Sequence, residues 1–131
     1  GNWDVSNVTT MSGMFGVSAF IQDISSWDVS NVTSMISMFS NSSFNGDISS
    51  WNVSSVTDMG AMFFYSGFNG DISNWDVSNV TIMRQMFQEA YTFNQDLSNW
   101  NVSNVLECSN FSGSTDFYTL PKPNFTNCNP D

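Results

Sequence analysis

Apolar positions along this chain recur in one phrase with an almost constant period. The phrase begins at five tryptophans spaced by 24, 24, 24 and 25 residues: Trp3, Trp27, Trp51, Trp75 and Trp100. Two methionine positions follow each of the first four: Met11/Met14, Met35/Met38, Met59/Met62 and Met83/Met86. A fixed period in the twenties predicts stacked repeats, each of which can bury its apolar face only against its neighbours.

The spacing within each repeat predicts its local elements. In the third repeat, ISSWNV (48–53) has the spacing of a short strand. The following VTDMGAMF (56–63) places apolar residues at i, i+3, i+6 and i+7, which predicts a short helix. The predicted fold class is therefore an α/β solenoid that is leucine-rich-repeat-like, with one short parallel strand and one short helix per 24–25-residue turn. A plain globular α+β domain is the alternative, which the regularity of the repeat disfavours.

The repeat also resembles that of a known family. The phrases WDVSNVT, MISMF and FNGDISSW resemble the BspA-like surface-repeat proteins, which are leucine-rich-repeat relatives found on microbial surfaces. The resemblance covers residues 1–107, as four full repeats and a partial fifth. It implies a leucine-rich-repeat-like solenoid on an extracellular surface with a role in adhesion, and it implies no catalytic residues.

The chain departs from this pattern in two places. The segment QEAYTF (88–93) is one residue longer than its counterparts, which predicts a local bump or a change of twist near Tyr91. After the repeat region, 1–107, residues 108–131 follow no repeat, and we expect them to form an irregular C-terminal cap over the open end of the stack. The N-terminal end has no such segment, so we expect something outside these residues to cover it.

Both cysteines, Cys108 and Cys128, lie in this C-terminal segment. Two thiols confined to one irregular segment predict a disulfide, and with it an oxidising compartment. The bond would close a loop of about 20 residues, worth roughly 3 kcal/mol in the loop-entropy model. The alternative is a pair of unrelated reduced thiols.

Charge narrows the classes of function. The chain has 12 acidic residues, two cations (Arg84 and Lys122) and no histidine, for a formal net charge of −10. Such a surface repels nucleic acid and anionic lipid, and no apolar run of about 18 residues is present to enter a membrane. Without histidine, and with carboxylates in rows rather than in a cleft, we expect no enzyme activity and no cofactor.

One row of carboxylates precedes the predicted strand in each repeat: Asp23, Asp47, Asp71 and Asp96. These oxygens can bind calcium, accept backbone hydrogen bonds as a ladder, or simply be solvated. Because single, evenly spaced Asp residues lack the clustering of a calcium loop, we favour the ladder and predict no metal site.

A second polar pattern flanks the tryptophans and predicts a binding face. We call this set the polar face: Ser26, Ser50, Asn74, Asn99, Asp28, Asn52, Asp76 and Asn101. In a leucine-rich-repeat geometry these residues point outward, where they can hydrogen-bond a protein or carbohydrate ligand. Mere solubility is the alternative interpretation.

A third pattern is the N-x-[ST] sequon, the acceptor of N-linked glycans. The chain carries eight: Asn7, Asn31, Asn41, Asn52, Asn79, Asn101, Asn110 and Asn124. Duplication of one ancestral phrase explains several of them without any sugar, but it does not explain Asn41, Asn110 or Asn124.

Two classes of function remain. The first is a non-catalytic extracellular or cell-surface protein that mediates adhesion or recognition through its polar face. The second is a structural subunit of an N-glycosylated filament or surface layer, which assembles end to end with copies of itself through the uncovered N-terminal turn.

Overall fold

The computed structural model describes residues 3–113 and 117–131, and these residues contain no helix. Their extended pairing is confined to isolated parallel bridges, which join Thr10 to Ser34, Ser34 to Asp58, Asp58 to Ile82 and Ile82 to Glu107. The prediction of an α/β, leucine-rich-repeat-like solenoid with a strand and a helix in each turn is therefore wrong. None of the described residues forms a helix with the length and apolarity that crossing a bilayer requires.

The repeats nevertheless stack in register through backbone hydrogen bonds. In the second repeat, alternate N–H groups donate to carbonyls of the third, as in Ser37 N–H to Gly60 O (2.9 Å) and Asn41 N–H to Phe64 O (2.8 Å). Thr57 N–H returns a bond to the second repeat at Thr33 O (2.9 Å). Successive turns of the chain are thus joined by short stretches of parallel pairing, between which the chain bends continuously.

The predicted helix over 56–63 is replaced by turns. Met62 N–H donates to Met59 O (3.2 Å), three residues back, and Ala61 has the positive φ of 53° that suits the third position of a type II turn. Phe63 N–H, which a helix would bond internally, donates instead to the fourth repeat. A β-turn brings residues i and i+3 together just as a helical turn does, so the apolar spacing was assigned to the wrong element.

The predicted strand over 48–53 is also wrong, because it contains a turn. Trp51 N–H donates to Ile48 O (3.2 Å), and the two residues between them are exposed. The turn is held at its start by Asp47, whose Oδ1 accepts from both the N–H (2.9 Å) and the hydroxyl (2.6 Å) of Ser49. An Asx turn of this kind competes with strand formation for the same backbone groups.

Two columns of phenylalanine rings form the centre of the core. Ring centroids of neighbours lie 5.3–5.7 Å apart in the column Phe15, Phe39, Phe63 and Phe87. They lie 6.2–6.4 Å apart in the column Phe20, Phe44, Phe68 and Phe93. Because every repeat adds the same side chains, the core grows by one layer per repeat, and its stability depends on contact between neighbouring repeats.

The longer fourth repeat changes the path of the chain near Tyr91 by adding a turn. In the second and third repeats, the hydroxyl oxygens of Ser42 and Ser66 each accept a hydrogen bond from a backbone N–H. The donor is the residue two positions later in the chain. The fourth repeat has Ala90 at this point, and Phe93 N–H donates to Ala90 O (3.2 Å), so that Tyr91 lies in the added turn and is exposed. The predicted local bump is thus an extra turn.

Candidate binding surfaces

The residues of the polar face are all exposed. Each pair flanks a tryptophan, as Ser26 and Asp28 flank Trp27, and these two side chains line one shallow surface depression together with Asp4. Register between the repeats places equivalent residues one above the next, since paired backbones lie about 4.8 Å apart. The use of this face by a ligand stays a prediction.

The four polar-face residues that directly follow a tryptophan, Asp28, Asn52, Asp76 and Asn101, are fixed by bonds within their own turn. Asp28 Oδ1 accepts from the N–H (3.0 Å) and the hydroxyl (2.6 Å) of Ser30, and Asn52 Oδ1 accepts from Ser54 in the same way. The hydroxyl and N–H of Ser30 lower the pKa of Asp28, so its carboxylate is ionised at neutral pH. Each of these side chains has a second polar atom, Oδ2 in Asp and Nδ2 in Asn. The described residues form no hydrogen bond with that atom.

The other carboxylate row makes the same own-turn bonds. Asp47 and Asp71 each accept from the serine two residues on, whose hydroxyl and N–H lower the pKa of the carboxyl group. The described residues contain no group of three or more His, Cys, Asp or Glu side chains that could hold a metal ion. The carboxylates thus serve as acceptors that begin turns, which is the own-turn form of the predicted ladder.

All eight sequon asparagines are exposed, but their amide groups differ. The Nδ2 atoms of Asn31 and Asn79, to which a glycan would be attached, donate to carbonyls of the preceding repeats at 2.8 Å. Asn104 and Asn127 continue this row outside any sequon, at 2.7 Å from Ser78 O and Ser103 O. The repeated amide bond of this row therefore has a structural role, and occupancy of any sequon by sugar stays a prediction.

The tryptophan column contains a hydrogen-bond ladder that the sequence analysis missed. The indole Nε1–H donates to an isoleucine carbonyl of the preceding repeat: Trp51 to Ile24 O (3.1 Å), Trp75 to Ile48 O (3.1 Å) and Trp100 to Ile72 O (3.0 Å). The fixed spacing of Trp and Ile in the repeat carries this signal, which appears only once the stacking is known.

The ladder does not extend to Trp27 in the described structure. Trp27 Nε1 is buried and has no hydrogen-bond partner in the described structure, and Trp3 is 70% exposed. Both rings line an apolar surface depression with Phe15, Phe20 and Gln22, and we call these five residues the N-terminal edge.

The opposite end of the stack is covered by residues 117–131. The predicted disulfide between Cys108 and Cys128 is present, with 5.9 Å between the Cα atoms. Leu97 N–H donates to Pro121 O (2.9 Å), and the rings of Phe111 and Phe125 meet at 5.0 Å. The C-terminal segment thus supplies both backbone acceptors and apolar cover to the last repeats.

A row of exposed aromatic rings was also missed. We define Tyr65, Tyr91 and Phe117 as the aromatic strip; their side chains are 54%, 47% and 58% exposed. Ring centroids lie 5.8 Å apart between the two tyrosines and 5.7 Å apart between Tyr91 and Phe117. The three residues belong to the third repeat, the fourth repeat and the C-terminal segment, so no local pattern in the sequence indicates their contact.

Both cations of the chain have partners within it. Arg84 forms an exposed ion pair with Glu107 at 2.8 Å. The Lys122 ammonium donates to Tyr118 O (2.9 Å) and lies 4.5 Å from the centroid of the same residue's ring. The remaining acidic groups therefore set the sign of the field around the protein.

Comparison with known proteins identifies a family. The family model described as "Mycoplasma protein of unknown function, DUF285" matches the chain twice, over residues 1–67 and 43–126. Neither the curated proteins nor the solved structures contain a significant match to the chain. Because the two matches extend over almost all of its length, the chain belongs to the DUF285 family.

Proposed function

We propose that this chain is a non-catalytic, BspA-like surface protein that mediates adhesion or recognition through its polar face. The observation that carries the proposal is the fixed geometry of that face. Asp28, Asn52, Asp76 and Asn101 are each held by a serine of their own turn while a further polar atom remains for a ligand. Side chains ordered before binding lose less entropy when a ligand arrives, so a regular row of them favours recognition of an extended polar partner.

The proposed role includes an extracellular or cell-surface location, and the disulfide supports that part of the proposal. The Cys108–Cys128 disulfide is typical of proteins that fold in an oxidising compartment. Exposed Ser, Asn and Asp offer donors and acceptors that suit the hydroxyl groups of a carbohydrate or the backbone of a protein ligand. No metal or cofactor enters this proposal.

The test is adhesion of protein-coated beads to immobilised neutral oligosaccharides and extracellular-matrix proteins. The double variant Ser50→Lys, Asn74→Lys changes the centre of the polar face. The matched control, Ser43→Lys, Ser109→Lys, adds the same charge at exposed residues outside that face. We expect the unmodified chain and the control to adhere and the polar-face variant to lose adhesion; equal loss in both variants, or adhesion by none of the three, would contradict the proposal.

The second candidate is a structural subunit that associates through the N-terminal edge. The apolar depression at that edge and the exposed Trp3 ring favour it, because a further layer would cover both. The C-terminal segment packs against the last repeats at the opposite end, so two copies joined edge to edge are the first form to test, and an end-to-end filament or surface layer is the larger form of the same candidate.

Analytical ultracentrifugation over a wide range of concentration separates the two candidates. Association that rises with concentration and is abolished by Trp3→Ser supports the structural subunit. A chain that stays monomeric at every concentration, or that associates equally well with Ser at position 3, removes it.

A further inference from the structure

We propose that the aromatic strip, together with Glu89, is a docking surface for an arginine-bearing segment of a partner protein. The inference goes beyond the proposed function, because it concerns a different surface and stands whether or not the polar face binds a ligand. It rests on three observations: contiguous exposed rings, a carboxylate bonded to the central ring's hydroxyl, and the charge of the whole chain.

The rings form one continuous patch. Tyr91 lies between Tyr65 and Phe117, and meets each ring at a steep angle, 80° and 88°, so that ring edges contact ring faces. Each ring is nevertheless about half exposed, which leaves aromatic surface open to a partner. Contiguous exposed aromatic side chains are uncommon on soluble proteins and are enriched at binding sites.

The backbone beneath the patch is fixed. Tyr65 N–H donates to Gln88 O (2.9 Å), which ties the third repeat to the fourth at this point. Tyr91 lies in the extra turn of the fourth repeat, between Ala90 and Phe93, and that turn directs its ring outward. The added residue that interrupts the 24-residue period therefore creates the central ring of the strip.

Glu89 places a negative charge next to the central ring of the strip. Its carboxylate accepts a hydrogen bond from the Tyr91 hydroxyl, and this bond, with burial and the negative charge of Glu89, raises the pKa of Tyr91. The hydroxyl thus stays protonated at neutral pH, and the carboxylate is held beside the ring. A cation that contacts the ring face would meet the carboxylate at the same time.

The charge of the chain favours a cationic partner. Its formal net charge is −10, and its two cations are engaged by Glu107 and by Tyr118. The Lys122 ammonium over the Tyr118 ring, at 4.5 Å, shows the same type of contact within the chain. Among cationic side chains, arginine fits best, because its planar guanidinium stacks on a ring and pairs with a carboxylate in bidentate fashion. A neutral sugar carries no charge, so the negative potential of the chain would not attract it.

The experiment is calorimetric titration of the full chain with two synthetic peptides of equal length and charge, one with arginine and one with lysine as its cations, each spaced by Gly and Ser. We expect the arginine peptide to bind several-fold more tightly, since long-range attraction by the acidic surface is the same for both peptides. Equal affinity of the two peptides would overturn the proposal.

Variants locate the site. Tyr91→Ala and Tyr65→Ala should each weaken binding of the arginine peptide by at least about fivefold. Tyr91→Phe, which keeps the ring, should retain most of the affinity. Glu89→Gln should weaken it more than the matched charge removal Asp47→Asn, whose carboxylate lies outside the strip. Because the rings are exposed, we expect these variants to keep the unfolding midpoint of the unmodified chain. Equal effects of Glu89→Gln and Asp47→Asn, or preferential binding of a neutral oligosaccharide used as competitor, would contradict the proposal.

Discussion

The two ends of the stack are built from the same phrase but have different environments. At the N-terminal edge, Trp27 has a buried indole N–H without an acceptor among the described residues, and Trp3 stacks on its outer side. At the other end, Trp100 donates to Ile72 O, and the disulfide-linked segment that follows covers the last repeat. A repeat sequence therefore does not determine its own burial, because each layer is completed by the layer beside it.

The exposed fractions of the five tryptophans show how burial depends on the neighbouring repeat. The exposed fraction of the side chain falls from 70% at Trp3 to 8% at Trp27, and is 4% at Trp51, 4% at Trp75 and 5% at Trp100. A single preceding layer is therefore enough to bury the ring.

The largest expected difference is between the centre of the stack and its open edge. Trp51→Ala should lower the free energy of unfolding by about 3–5 kcal/mol, because it removes a fully packed aromatic side chain and a hydrogen bond. Trp3→Ala, which truncates a mostly exposed ring of the same column, should cost under about 1 kcal/mol. Urea unfolding followed by circular dichroism measures both, and equal costs would mean that the column is not packed as described.

The covered end depends on its disulfide. The double variant Cys108→Ser, Cys128→Ser should lower the free energy of unfolding by about 2–4 kcal/mol, since it releases the loop in the unfolded chain. Because the loss of this link also frees the C-terminal segment, the fluorescence of Trp100 should shift toward that of an exposed indole before global unfolding. A variant that unfolds at the same urea concentration as the unmodified chain would show that the cover holds without the bond.

A smaller difference separates two tryptophans that are both buried. Trp75→Phe removes an indole N–H and leaves Ile48 O without its donor, whereas Trp27→Phe removes an N–H that has no partner among residues 3–113 and 117–131. The first substitution should therefore be more destabilising than the second by about 1–2 kcal/mol. Thermal and urea unfolding of the two variants tests this, and a larger cost for Trp27→Phe would place an acceptor at the N-terminal edge.

The smallest effect is the dependence of stability on pH. Among the residues that directly follow a tryptophan, Asp4, Asp28 and Asp76 carry a carboxyl group, whereas Asn52 and Asn101 do not. Bonds from Ser30 lower the pKa of Asp28 from its ordinary value of 3.8. A carboxyl group with a lowered pKa in the folded state adds stability above its unfolded pKa, and this stability is lost as the pH falls through the folded-state value. Stability should therefore be level above about pH 5 and should decline as the solution becomes more acidic than that.

The variant Asp28→Asn, Asp76→Asn is a matched control for this pH effect, because Asn52 and Asn101 make the same own-turn bond without titrating. It should unfold at the same urea concentration as the unmodified chain at pH 7 and show a shallower decline in acid. An unchanged acid profile would mean that other carboxyl groups carry the effect.

The period, the disulfide and the exposure of the polar face could be predicted from the sequence, because each depends on residues at fixed separations. The helix and strand predictions failed since both rested on apolar spacing that β-turns also produce, and Ala61 gives no signal of its positive φ. The aromatic strip could not be predicted, because the contact between Tyr91 and Phe117 depends on how the C-terminal segment returns over the repeats.

Hydrogen exchange of the indole N–H groups tests the account most directly. The chain has five tryptophans, and NMR resolves an exchange rate for each indole proton. The structure predicts slow exchange for Trp51, Trp75 and Trp100, an intermediate rate for Trp27, which is buried without an acceptor, and fast exchange for Trp3. If Trp100 exchanges as fast as Trp3, or all five protons are protected alike, the contrast between an open and a covered end of the stack is contradicted.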